Sequence, residues 1–260
     1  MSDKKHRKIR LTPVSSLHYF KLIFRSMLLV FGIVCYITGR VTISEEAFSR
    51  YPAGQWFLRV IWVIFVWEML QRFFPSGLES PGCQKQFAKN YIKTGETDVR
   101  IDDNNAAILV ALLWVTLNGF LGVLKLNGIL DDSIMMLICL LYSVCDMICI
   151  LFYCPFQSIF LKNKCCAACR IYNWDYAMMF TPLFFVKGLY SGSLLVLSVI
   201  LLFRWEITVV RHPERFSERT NGYLTCKNCS EKLCTHKKQL WFLWKELESF
   251  TLKRIEKLRK

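Results

Sequence analysis

Long apolar runs alternate with short polar and basic stretches from one end of the chain to the other. Crossing roughly 30 Å of bilayer hydrocarbon takes about 20 mostly apolar residues. Five segments approach or exceed that length: 22–38, 56–74, 106–124, 133–153 and 176–203. The third contains no charge, whereas the first carries Arg25, the second Arg59 and Glu68, the fourth Asp146 and the fifth Lys187. In lipid only helices and closed barrels satisfy every backbone polar group. The pattern therefore predicts an all-α, polytopic helical membrane protein with four to five transmembrane segments. Trp56, Tyr153, Trp174, Tyr176 and Trp205 stand at segment ends, where amphipathic rings favour the headgroup level.

The fifth segment has two readings. Its 28 residues form one tilted or protruding helix of about 42 Å. Alternatively, it is a re-entrant hairpin hinged near Gly188 and Gly192, each arm reaching only about 16 Å. Non-helical backbone of that kind is tolerated where protein buries it.

Composition supports the membrane class. Of 260 residues, 53% are hydrophobic, with 20 Phe and 8 Trp, a balance that soluble domains rarely sustain over such runs. The formal net charge is +14, and its distribution decides orientation. With the basic tail 1–21 inside, thirteen Lys and Arg fall on inner stretches before the fifth segment and three on outer ones. No small-residue cleavage site follows the first apolar run, so that tail reads as a retained cytosolic tail. Five full crossings would put the basic tail 204–260 outside, against the rule. The hairpin reading puts both tails in the cytosol and the chain in the cytoplasmic membrane.

Twelve cysteines then change the picture. Cys35, Cys139, Cys145 and Cys149 lie in apolar segments and read as small buried hydrophobes, and Cys83 stands in a loop. Loop 154–175 carries Cys154, Cys165, Cys166 and Cys169, and the C-terminal tail carries Cys226, Cys229, Cys234 and His236. The tail motif CKNCSEKLCTH reads C-x2-C-x4-C-x-H, and two thiolates two residues apart can grip a tetrahedral metal from one turn. Its fourth ligand departs from zinc-knuckle spacing. The loop supplies four thiols with a Cys-Pro step, but not the ferredoxin spacing. Zinc and an iron–sulfur cluster remain open as cofactors, as does a C-x-x-C dithiol of Cys166 and Cys169. In a reducing compartment dense cysteine favours metal over disulfide. These residues would then form a cysteine-rich cap on the cytosolic face.

CPFQ, KCCAACRIYNWDYAMMFTP, RWE, RHPERF and LTCKNCSEKLC, in this order over 154–236, resemble an uncharacterised family of prokaryotic polytopic membrane proteins. The resemblance implies that the loop, the fifth segment and the tail form one unit. It implies no activity.

A charge at a helix centre costs about 2.5–3.5 kcal/mol on insertion scales, so Glu68 is expected to pair with Arg59 or Arg25 and Asp146 with Lys187. A proton, ion or substrate path is the competing reading. Residues 239–259 place Leu240, Leu243, Leu247, Phe250, Ile255 and Leu258 at helical spacing opposite Lys245, Glu248, Lys253 and Lys257. This amphipathic helix suits anionic lipid headgroups or a protein partner, and no motif points to nucleic acid. P-loop, G-x-S-x-G, H-E-x-x-H and dinucleotide-glycine patterns are all missing, so no reaction is specified. Two functions fit: a redox or electron-transfer component with a metal-binding face, or a transporter subunit, scaffold or sensor in which zinc only stabilises the cap.

Overall fold

A computed structural model describes residues 12–39, 45–75, 81–101, 104–161, 169–225 and 227–228. Among these residues the regular elements are all helical: α1 (Pro13–Thr38), α2 (Glu45–Ser49), α3 (Pro52–Gln71), α4 (Pro81–Gln86), α5 (Asn104–Leu126), α6 (Asp132–Leu151), α7 (Asp175–Phe180) and α8 (Leu189–Arg211). Helices α1, α3, α5, α6 and α8 are each long and apolar enough to cross a membrane. Their outer faces present large apolar side chains such as Ile37, Val115, Phe120 and Val210, as lipid-facing helices must.

The helix ends follow from local chemistry. At α1, Thr12 Oγ1 accepts the Ser15 N–H while Ser15 Oγ accepts the Thr12 N–H at 2.8 Å, and Pro13 opens the first turn. This is a reciprocal cap. Gly39, at φ 60°, closes the helix in the left-handed conformation that glycine adopts without strain. Asp131 caps α6 by accepting the Ile134 N–H at 2.7 Å.

Cross-helix contacts define two ends of the bundle. Arg72, just past α3, meets Asp175 at the start of α7 at 2.5 Å. Arg170 pairs with Glu206 late in α8 and reaches Asn104 at the start of α5. Tyr19, early in α1, packs edge-on against Phe152, just past α6. The starts of α1, α5 and α7 therefore lie at one end with the finishes of α3, α6 and α8. At the opposite end, Glu45 accepts backbone N–H groups from Leu189, Tyr190 and Ser191 and so caps α8 from another part of the chain.

The fifth apolar segment is neither one helix nor a symmetric hairpin. A composite crossing runs from the 3-10 turn Arg170–Trp174 through α7 to the 3-10 turn Thr181–Phe185. Its sixteen residues reach about 29 Å at the rises of the two helix types. Pro182 lacks the N–H an α-helix needs, and α7 gives way to a 3-10 turn there. The chain reverses at Val186–Lys187–Gly188 and α8 returns at full length. At Gly188 the Glu45 carboxylate lies where a Cβ would stand, so a side chain there would displace Glu45 from the start of α8. Among the described residues the chain thus runs from one end of the bundle to the other six times, and α8 ends at the same end at which α1 begins.

That end carries a small cap. Asn221, fully buried, donates to the Lys85 and Arg215 carbonyls and accepts from the N–H groups of Ile92 and Tyr223. Gly222 donates to the Ile92 carbonyl at 2.7 Å. Phe87 and Phe216 pack edge-on against Trp205 of α8. Stretch 81–101 is thereby tied to stretch 212–225 on the foot of α8.

Candidate functional site

Three cations and three carboxylates meet near the capped end of the bundle. Arg25, only 2% exposed, holds Glu68 at 2.7 Å, Asp146 at 3.2 Å and the Ser143 carbonyl at 3.1 Å. Lys21 approaches the other Glu68 oxygen at 3.4 Å, and the Tyr176 hydroxyl donates to Glu68 at 3.0 Å. Arg72 pairs with Asp175 and lies over the rings of Tyr172 and Tyr176. The signs balance, which is what burial in a low dielectric demands. Helices α1, α3, α6 and the composite crossing are thereby fastened to one another at one level.

The expected pairing is half met. Glu68 takes Arg25, as expected, but Asp146 also takes Arg25, not Lys187. Lys187 is exposed at the reversal before α8, at the opposite end from Asp146. Arg59 is likewise exposed, lying over the Trp56 ring at 5.7 Å near the α2 end, where a long side chain reaches the interface.

Directly beside the ion cluster lies a cavity of about 300 Å³, between α5, α6 and the composite crossing. Cys145, Cys149, Cys154 and Cys169 all line it, with Asp146 and Asp175 at the side shared with the ion cluster. Cys149 and Cys154 lie on the same wall of this cavity. Cys149 sits on the last turn of α6, and Cys154 follows the helix end, where the Gln157 N–H donates to its sulfur at 3.5 Å. The π-type turn Phe156–Phe160 then carries Phe156 against Trp114 of α5. The Trp114 and Tyr142 rings pack tilted against one another, their centroids 4.6 Å apart.

The sequence-derived ligands divide accordingly. Cys154 and Cys169 share this cavity. Cys165, Cys166, Cys226, Cys229, Cys234 and His236 lie outside the described residues, as does the amphipathic helix 239–259. Among the described residues, no three His, Cys, Asp or Glu side chains converge closely enough to hold a metal ion.

Cys145 and Cys149, read from sequence as small buried hydrophobes, line this cavity, with Cys145 exposed and Cys149 half-buried. A signal was present: Tyr142, Cys145 and Cys149 recur at i, i+3 and i+7, which is one face of a helix, and Cys154 follows five residues later. Asp175 and Tyr172 carried no such signal, because their role depends on the composite crossing.

Comparison of the chain with protein-family models, with curated proteins and with solved structures finds no match.

Proposed function

We propose that this multi-pass membrane protein is a thiol redox component whose working pair is Cys149 and Cys154. The carrying observation is that Cys149 and Cys154, five residues apart at the end of α6, line one cavity together with Cys145 and Cys169. Two thiols that meet can lose two electrons and two protons and become a disulfide, and disulfide exchange can pass that oxidation to a further thiol. Cys169, on the same cavity, and Cys165 and Cys166, a few residues before it, are the candidates to relay it. The excess of Lys and Arg on the stretches at the α1 start supports a cytosolic position for that end, in the cytoplasmic membrane. The buried, charge-balanced cluster supports a rigid frame for the cavity. A metal centre that draws on Cys154 and Cys169 together with Cys165 and Cys166 is the competing outcome of the same test.

The test is stepwise oxidation of the full-length protein in lipid nanodiscs with diamide, followed by alkylation and peptide mapping. The expected result is loss of two thiols per chain as a Cys149–Cys154 disulfide, in protein carrying no stoichiometric zinc or iron. Folded protein in which both cysteines remain separately alkylatable, or in which bound metal shields them, overturns the proposal.

A further inference from the structure

We infer that the crevice between α5 and α8 is a binding site for one zwitterionic phospholipid. Its ethanolamine headgroup lies on the Arg170–Glu206 pair and one acyl chain runs along the Ala107–Ala111 side of α5. The inference stands apart from the thiol pair.

Space is the first argument. A cavity of about 630 Å³ lies between α5 and the last turns of α8. Helix α5 packs mainly on the Thr181–Phe185 and Phe156–Phe160 turns, and α8 is not among its main neighbours. The α5 wall is built from Ala107, Ile108, Ala111, Leu112 and Val115. These positions share one face of the helix, and the two alanines set the wall back between larger neighbours. Ile108, Leu112, Val115 and Val210 at this cavity are exposed, so it opens toward the hydrocarbon. Protein interiors are not packed with voids of this size, and apolar walls give water no hydrogen bonds with which to stay. A hydrocarbon chain is the filling that these walls suit. From Asn104 to Val115 the wall rises about 16 Å at the α-helical rise. That is about half of the roughly 30 Å hydrocarbon thickness, the depth of one leaflet.

Charge is the second argument. The polar side chains of this cavity form one hydrogen-bonded group near the α5 start: Asn104, Arg170, Trp174 and Glu206. Arg170 donates from Nε to Glu206 Oε1 at 3.3 Å, from Nη2 to Oε2 and from Nη1 to Asn104 Oδ1. Trp174 Nε1 donates to Glu206 Oε1 at 2.6 Å, which holds its indole where amphipathic rings favour the headgroup level. A basic pocket between helices suits an anionic headgroup. Here the carboxylate neutralises the guanidinium, so the pair complements a headgroup that carries both signs. Among the described residues, two donors fill Glu206 Oε1, whereas Oε2 keeps one acceptor position for an ammonium N–H. Asn104, with its carbonyl oxygen taken by Arg170, offers its amide N–H groups to a phosphate. A trimethylammonium group has no N–H to donate, which selects ethanolamine over choline.

The experiment uses the full-length protein in phosphatidylcholine nanodiscs. The probe is a trace of phosphatidylethanolamine with a diazirine midway along one acyl chain, crosslinked by light and mapped by mass spectrometry. The expected result is saturable labelling, one probe per chain, concentrated on the Ala111 and Val115 face of α5. Ala111→Phe, which fills the crevice, should lower that labelling several-fold. Leu113→Phe, on the exposed side of α5 away from the cavity, should leave it unchanged. Unlabelled phosphatidylethanolamine should displace the probe several-fold better than phosphatidylglycerol or further phosphatidylcholine of the same chains. Arg170→Gln/Glu206→Gln should abolish that preference. Labelling that does not saturate, spreads evenly over the exposed side chains of α5 and ignores Ala111→Phe means bulk lipid only, and overturns the inference. Equal displacement by all three lipids, or best displacement by phosphatidylglycerol, overturns the headgroup assignment, as does a preference that survives the double replacement.

Discussion

Replacing Arg25 with Met should be among the most damaging single changes in the bundle. The guanidinium is buried and neutralises Glu68 and Asp146 at 2.7 and 3.2 Å. Met fills most of the stem volume but leaves two carboxylates facing each other without their shared cation. Removing one partner of a buried ion pair costs about 3–5 kcal/mol. Glu68 keeps Lys21 and the Tyr176 hydroxyl, which places the expectation at about 3 kcal/mol, the lower end of that range. The double replacement Arg25→Met/Glu68→Met removes a second charge along with the first. It should be less destabilised than the sum of the two single variants by about 1–3 kcal/mol, a coupling typical of contacting groups. Reversible unfolding in mixed dodecyl maltoside and SDS micelles, followed by tryptophan fluorescence, reads all four corners of the cycle. A cost below about 1 kcal/mol for Arg25→Met, the size of a surface pair, would refute the reasoning. So would strict additivity in the cycle.

Glu45→Ala removes the acceptor of three N–H groups at the start of α8 and should cost about 0.5–2 kcal/mol in the same unfolding assay; no change would mean that water caps this helix equally well. His18 is buried with no hydrogen-bond partner at either ring nitrogen among the described residues, so His18→Leu should be neutral or stabilising, and a loss above about 2 kcal/mol, the size of a lost buried partner, would show that the imidazole is satisfied after all. Metal analysis of wild type and of Cys226→Ser/Cys229→Ser addresses the tail motif: the thiol redox account expects no stoichiometric zinc or iron in either. Metal that is present in the wild type and lost in the variant would return the tail to the zinc-site reading.

The five long helices were legible because each is a continuous apolar run, and lipid exposure leaves little else for such a run to be. The composite crossing was not, because its apolar residues run without a break into those of α8. The stop at Pro182 and the reversal at 186–188 show only once α7 and α8 are seen packed side by side. Charges inside the segments were visible as a balanced set, but sequence cannot say which of several partners Asp146 meets. That depends on the rotation of α1, which brings Arg25 between Glu68 and Asp146. For the candidate site, clustering in the loop drew attention to Cys154 and Cys169, whereas Cys149 needed the fold to place it on the same cavity as Cys154. The contribution of 81–101 to the cap was invisible because that stretch has no apolar periodicity, and its order comes from Asn221, more than a hundred residues away.

The measurement that tests the thiol redox account most directly is the state of the pair in living cells. Cells expressing the full chain are quenched in acid, which stops thiol exchange, and the thiols are then alkylated before and after reduction with two mass-distinct reagents. The account predicts that Cys149 and Cys154 are found as a mixed population, partly joined to each other and partly reduced, and that the joined fraction rises when respiration is saturated with oxygen and falls under anaerobiosis. A pair that is wholly reduced under both conditions, with Cys149 alkylated independently of Cys154, would contradict it.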